Sequence, residues 1–112
     1  EWAYAAGAVD GRAYPWGDVF MPGLADTRRR GARGPAPVNT FATDESPFGL
    51  RSVAGGVREW TATPAEDAPD RFMLRGGSWR SLAEACRIGA RATATARLTH
   101  PTIGVRLAAD LV

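Results

Sequence analysis

Apolar and polar positions alternate in short segments in the second half of the chain, which is the period of a β-strand with one buried face. Residues 57–61 (VREWT) show this alternation and are rich in strand-forming residue types. Residues 71–75 (RFMLR) form a short apolar run that a glycine pair closes, and residues 103–108 (IGVRLA) place their aliphatic side chains on one face. The pattern therefore predicts three strands.

The other segments have weaker patterns. Residues 87–92 (RIGARA) alternate and predict a further strand, and residues 81–86 predict one helical turn. Residues 1–8 (EWAYAAGA) contain good helix formers and predict the last two turns of a helix, with Gly7 as its C-cap. Glycine and proline recur at short intervals over residues 10–47, so this stretch is predicted to form irregular loops with short strands.

Large aromatic residues are expected to anchor the core, because each buries on the order of 150–250 Å². We predict that residues 72–79 form a central strand and turn with Trp79 largely buried. Gly76 and Gly77 fit a place where the backbone packs closely or takes a positive φ. The same anchoring role is predicted for the remaining tryptophans, which are Trp2, Trp16 and Trp60.

The length of 112 residues fits a single domain with one modest core, and residues 1–112 show no linker that would divide them. No apolar run approaches the roughly 20 residues that a membrane span needs. No targeting segment is visible at the start. The compartment stays open, with a cytoplasmic location favoured, and we expect a bacterial protein.

The positive charge is arginine throughout and is concentrated in one place. The net charge is only +2, and the one dense basic stretch is residues 27–34 (TRRRGARG). No aromatic residue for stacking on bases occurs between Phe20 and Phe41. We interpret the basic stretch as a solvated loop and expect no nucleic-acid partner.

The residues available for catalysis are few. Cys86 is the only cysteine, so it cannot form a disulfide within the chain. His100 is the only histidine, which excludes a site of three histidines and leaves Ser78 and Ser81 without a histidine base. Glu59 is a candidate partner for arginines on strands. The other carboxylates considered are interpreted as solvated surface groups, namely Asp44, Glu45 and Glu84.

Eight segments together resemble one known family. They are EWAYAA, YPWGD, APVNTF, FGL, GGVREWT, LRGGSW, ACR and IGVRLA, in that order and at the family's usual spacing. This is similar to the sulfatase-modifying factor, or formylglycine-generating enzyme, family. The resemblance implies an α+β, C-type lectin-like fold, rich in loops, with a small twisted antiparallel sheet. It covers the C-terminal portion of such a domain, so an upstream part of the same domain is expected.

The resemblance also bears on the thiol. Catalytic members use copper and two active-site cysteines to convert a sulfatase cysteine to formylglycine, and soft thiolates suit copper(I). In this chain the two positions hold Ser81 and Cys86, so the first family cysteine is replaced. A catalytic role for Cys86 and copper binding are therefore not what we expect. Cys86 is interpreted as a buried small apolar residue, with a surviving redox role as the alternative.

A structural calcium is the other cofactor that the resemblance implies. Family members bind calcium in a loop that corresponds to SVAGGVREW, with oxygen ligands at positions matching Ser52, Gly55, Val57 and Glu59. Serine replaces the family's asparagine at the first position. Pairing of Glu59 with a strand arginine is the favoured interpretation, with calcium as the alternative, and the candidate arginines are Arg75, Arg91 and Arg106.

Two functions remain. The first is a non-catalytic binding or scaffolding module, in which loops 80–85 and 92–102 present a surface to a protein or a small ligand. The second is a copper-dependent oxidase that modifies sulfatases. The missing first cysteine favours the binding module.

Overall fold

The computed structural model describes residues 1–7 and 9–110, and regular structure there is limited to short elements. Most of residues 10–47 is irregular, as the glycine and proline pattern predicts. The elements are helix α1 (Trp2–Gly7), strands β1 (Arg58–Ala65), β2 (Ala68–Arg75), β3 (Arg91–Thr95) and β4 (Ile103–Gly104), and 3-10 turns at Pro22–Leu24, Arg28–Arg30 and Ala83–Cys86. The turn at Ala83–Cys86 confirms the helical turn predicted within residues 81–86.

The strands form one mixed sheet in the order β3-β2-β1-β4. β1 and β2 are an antiparallel hairpin in which Glu59 lies opposite Arg75 and Trp60 opposite Leu74. β2 also pairs antiparallel with β3, but β4 runs parallel to β1. The prediction of a purely antiparallel sheet was therefore wrong at this edge. The register of β1 shifts around Pro64, which has no N–H for the ladder.

The predicted strands 57–61 and 71–75 form as the longer β1 and β2, and the other two predicted strands differ more from the structure. Residues 87–90 do not pair with the sheet, because Ile88 is buried beside α1 and its N–H donates to the carbonyl of Ala13. The strand begins at Arg91 instead, so the predicted loop 92–102 is β3 as far as Thr95. β4 stops at Gly104, and the expected apolar face beyond it does not form.

The side chain of Arg106 explains why β4 ends at Gly104. Val105 and Leu107 are 72% and 91% exposed, although the alternation placed them on a buried face. Between them, the Arg106 side chain turns inward to bond Glu59 and the carbonyl of Arg51. This side-chain contact holds the chain where a backbone ladder would otherwise continue.

The core consists of small clusters beneath the loops. One joins Tyr14, Ala25, Ala54 and Cys86, and another joins Ala6, Val53 and Ile88. Trp79 is buried, as predicted. The other tryptophans are only half-buried, although Trp2 and Trp16 pack against these clusters.

The glycine pair after β2 confirms the predicted close packing. Gly76 has a φ of 84°, and a Cβ on it would lie 2.9 Å from the carbonyl oxygen of Val53. A Cβ on Gly77 would overlap the carbonyl of Ala54 and approach the Sγ of Cys86 to 2.8 Å. The chain can pass over the Cys86 cluster only because these positions have no side chain.

None of the helices in the part of the chain that the structure describes combines the length and apolar character needed to cross a bilayer.

Candidate functional site

Cys86 ends the 3-10 turn Ala83–Cys86 and points into the core. The side chain is buried, and it packs with Tyr14, Ala25 and Ala54. Burial raises the pKa of the Cys86 thiol to about 12, and the negative charges of Asp44 and Glu84 add to the effect. The thiol is therefore protonated at neutral pH. Its predicted place in the core is confirmed, and any redox role stays untested.

Ser81, which the resemblance matched to the first family cysteine, closes a turn. Its Oγ accepts the backbone N–H of Ser78 at 2.9 Å and lies 3.1 Å from the Ser78 hydroxyl. Its own N–H donates to the carbonyl of Ser78, and its carbonyl accepts the N–H of Arg28. The hydroxyl of Ser81 thus has a defined hydrogen-bonding role in the fold of this loop.

His100 is likewise used locally. Its Nδ1 accepts the backbone N–H of Thr102 at 3.2 Å and lies 2.7 Å from the Thr102 hydroxyl. The ring therefore carries its proton on Nε2 when neutral. Over residues 1–7 and 9–110, no three His, Cys, Asp or Glu side chains come together as a metal-binding group.

The four residues predicted to hold calcium come together around one cavity. Ser52, Gly55, Val57 and Glu59 all line this cavity of 350 Å³. Ser52 takes a φ of 56°, which is rare for a residue with a side chain. Their spatial grouping follows from the sharp turns of the loop that precedes β1.

The carboxylate of Glu59 is already paired. It is buried, and Arg106 reaches it with Nη2 at 2.6 Å from Oε1 and Nε at 3.0 Å from both oxygens. The indole N–H of Trp2 donates to Oε2 at 2.6 Å. The cation at Glu59 in this structure is the guanidinium of Arg106, so Glu59 forms the arginine pair that the sequence favoured, although Arg106 lies beyond the end of β4. Calcium binding through Glu59 would require Arg106 to move.

Asp44 is the residue that sequence reasoning placed wrongly. It was interpreted as a surface carboxylate, but it is 1% exposed. Its oxygens accept the N–H groups of Val53, Ala54 and Gly55 at 2.9–3.1 Å. Burial raises the pKa of Asp44, against the opposing effect of these N–H donors. Asp44 therefore fixes the loop before β1, and no local pattern announces contacts with backbone nine to eleven residues away.

The two loops proposed to present a ligand surface lie side by side. The indole N–H of Trp79 donates to the carbonyl of Pro101 at 3.0 Å, which links them. The guanidinium of Arg80 lies over the Trp79 ring, 5.6 Å from its centroid. Leu82 and Leu98 are 53% and 44% exposed. Since β3 includes the residues up to Thr95, the part of the second loop outside the sheet is residues 96–102, of which 96–101 are exposed and Thr102 is buried.

Comparison with known proteins gives a consistent family. The sulfatase-modifying factor enzyme 1-like domain matches residues 1–111. Inactive C-alpha-formylglycine-generating enzyme 2 of Bos taurus is 36% identical over 96 residues, which cover 75% of this chain and 32% of the relative. Formylglycine-generating enzyme of Thermomonospora curvata is 32% identical over 145 residues, covering 98% of this chain and 47% of the relative.

A solved structure supports the same fold. PvdO from Pseudomonas aeruginosa superposes with a TM-score of 0.77 at 22% sequence identity, over 92% of this chain and 47% of that one. The chain belongs to the sulfatase-modifying factor enzyme 1-like domain family. It spans less than half the length of these relatives.

Proposed function

We propose that this chain is a non-catalytic, C-type lectin-like member of its family that acts as a binding or scaffolding module. The observation that carries the proposal is the pair of positions at which catalytic relatives hold two cysteines. Ser81 stands at the first position, and its hydroxyl is engaged with Ser78. Cys86 at the second is buried and protonated. A neutral hydroxyl and an uncharged thiol are poor ligands for copper(I).

The relatives support each of two functions to a different degree. The 36% identical relative is named an inactive enzyme, which favours the binding module. The relative matched over 98% of this chain is named a formylglycine-generating enzyme, which keeps the copper-dependent oxidase as the second candidate. The oxidase requires a sulfur pair, and the sequence contains a single cysteine.

Copper(I) affinity tests the non-catalytic half of the proposal. The full chain is titrated with copper(I) against a coloured competing chelator, beside the variants Cys86→Ala and Ser81→Cys. We expect the wild type and Cys86→Ala to leave the chelator spectrum equally unchanged. Stoichiometric copper uptake by the wild type that Cys86→Ala abolishes would contradict the proposal.

The proposed ligand surface consists of residues 80–85 and 96–102. It combines a guanidinium stacked on Trp79 with the exposed apolar side chains of Leu82 and Leu98. A phage-displayed random peptide library, panned on the full chain, tests this surface. Peptides that fail to bind Leu82→Ser and Leu98→Ser support it, and a selection that yields no peptide sensitive to either variant argues against it.

A further inference from the structure

Three charged residues lie side by side across the sheet, on a face away from the ligand loops. Arg91 on β3 is directly opposite Arg75 on β2, and Arg75 is directly opposite Glu59 on β1. The register alone predicts an ion pair between Arg75 and Glu59. The structure has a different pairing, because the Glu59 carboxylate bonds Arg106 and Trp2.

The two arginines on this face are consequently left without a carboxylate among the described residues. Arg75 makes one hydrogen bond there, from Nη1 to the carbonyl of Ile88 at 3.3 Å, and Arg91 makes none. Like charges directly opposite each other on neighbouring strands destabilise a sheet. Burial and the charge of Arg91 both lower the pKa of Arg75. An anion bound between the two guanidinium groups would offset their repulsion and the cost of burying the charge of Arg75.

The surroundings of this pair restrict the kind of anion. Arg75 and Arg91 line a cavity of 850 Å³, here called the sheet cleft, which Glu1 and the paired Glu59 also line. Its large apolar residues are Trp2, Tyr4, Leu50, Trp60, Met73 and Leu107. Tyr4 and Leu107 are 58% and 91% exposed. Tyr4 also stacks on Phe48 at 5.1 Å between ring centroids, which extends the apolar surface beyond the cleft. Exposed apolar residues grouped around polar ones are typical of an interaction site.

We propose that the sheet cleft binds an acidic polypeptide segment, with an Asp or Glu carboxylate between Arg75 and Arg91 and apolar neighbours against Trp2 and Met73. The planar guanidinium matches a carboxylate in a bidentate arrangement, which gives direction as well as charge complementarity. The cleft is far larger than a single small anion, and its apolar lining would stay exposed around one. A peptide can place a carboxylate at the two arginines and apolar side chains against the rest of the lining. This surface is separate from residues 80–85 and 96–102, so its failure leaves the proposed function standing.

The test pans the same phage-displayed library on the full chain and sorts the peptides with cleft variants. We expect a class of peptides in which Asp or Glu neighbours aromatic or aliphatic residues. Synthetic, fluorescently labelled copies should lose roughly tenfold or more in affinity on Arg91→Gln and on replacement of the peptide acid by its amide. Arg33→Gln is the matched control, because it removes one exposed positive charge outside the cleft and should leave the affinity unchanged.

A second variant separates binding from folding. Arg75→Met keeps an apolar side chain of similar length and removes an uncompensated, half-buried charge, so it should melt no lower than the wild type while losing the peptide. A lower melting temperature with unchanged peptide affinity would show that Arg75 is structural and overturn the proposal.

Other occupants give distinct results. Absence of acidic peptides, or equal binding to Arg91→Gln, overturns the proposal. Inorganic phosphate or acetate that binds the cleft as tightly as the best peptide would assign it to a small anion instead. A dimer in sedimentation that Arg91→Gln dissociates would assign it to a second copy of the chain.

Discussion

The guanidinium of Arg106 closes on the buried carboxylate of Glu59, with Nη2 at 2.6 Å from Oε1 and Nε at 3.0 Å from each oxygen. The pair joins the end of the chain that follows β4 to the start of β1, and Trp2 joins α1 to the same carboxylate. Three parts of the molecule that are distant in sequence therefore meet at one charged group.

Replacing Glu59 by Gln should destabilise the chain by about 2–4 kcal/mol, because the amide leaves the charge of Arg106 without its partner. This is below the usual range of about 3–5 kcal/mol for a fully buried pair, since the Arg106 side chain is 31% exposed. Urea unfolding measures the change. Glu66→Gln, in the exposed hairpin turn, is the control and should alter stability by less than about 0.5 kcal/mol. Equal stability of the two variants would contradict the role given to the pair.

Calcium should leave the melting temperature of the full chain unchanged relative to chelator, because Arg106 already neutralises Glu59. A bound ion at about 100 times its dissociation constant would instead add roughly 2.7 kcal/mol of stability. Thermal melts with calcium chloride and with chelator distinguish a Glu59 that pairs only with Arg106 from a Glu59 that binds calcium. A calcium-dependent rise in the wild type that disappears in Glu59→Gln would establish the calcium site and overturn this expectation.

The buried thiol predicts a particular pH dependence. The folded pKa of Cys86 is raised to about 12 from the ordinary value of 9.0. The unfolded chain therefore releases this proton first, and the stabilisation present below about pH 9 is lost as pH rises toward 12. The slope attributable to Cys86 should approach about 1.4 kcal/mol per pH unit in this window. Stability curves of the wild type and Cys86→Ala, subtracted, isolate it. Parallel curves would show that the thiol is not buried as described.

Local patterns in the sequence were sufficient to place strands within β1 and β2 and to predict the turn after β2, but not to predict that β1 and β2 form a hairpin. The alternation in β1, the apolar run in β2 and the glycine pair at Gly76 and Gly77 are all short-range signals. The edges of the sheet depend on distant partners instead. Ile88 bonds the backbone of Ala13, and Arg106 bonds Glu59, so neither edge strand follows its own pattern.

Some features of the candidate site could likewise be predicted from the sequence, and others depend on contacts between distant residues. The grouping of Ser52, Gly55, Val57 and Glu59 around one cavity was implied by the family resemblance. The burial of Asp44 could not, because its partners are three backbone N–H groups in another loop. The carboxylate of Glu59 bonds Arg106, which follows β4, and not Arg75, its neighbour in the strand register, so the sequence alone did not show that Arg75 and Arg91 lack a carboxylate.

The central claim is that this chain does not make formylglycine. The most direct measurement incubates the full chain with copper(I), oxygen and a peptide carrying a sulfatase-type cysteine motif, and follows the cysteine by mass spectrometry. Formylglycine-generating enzyme of Thermomonospora curvata serves as the positive control. The account predicts an unchanged cysteine with the wild type, because its single thiol is buried and protonated. Conversion of the cysteine to the aldehyde that disappears in Cys86→Ala would contradict the account and establish an oxidase with one catalytic cysteine.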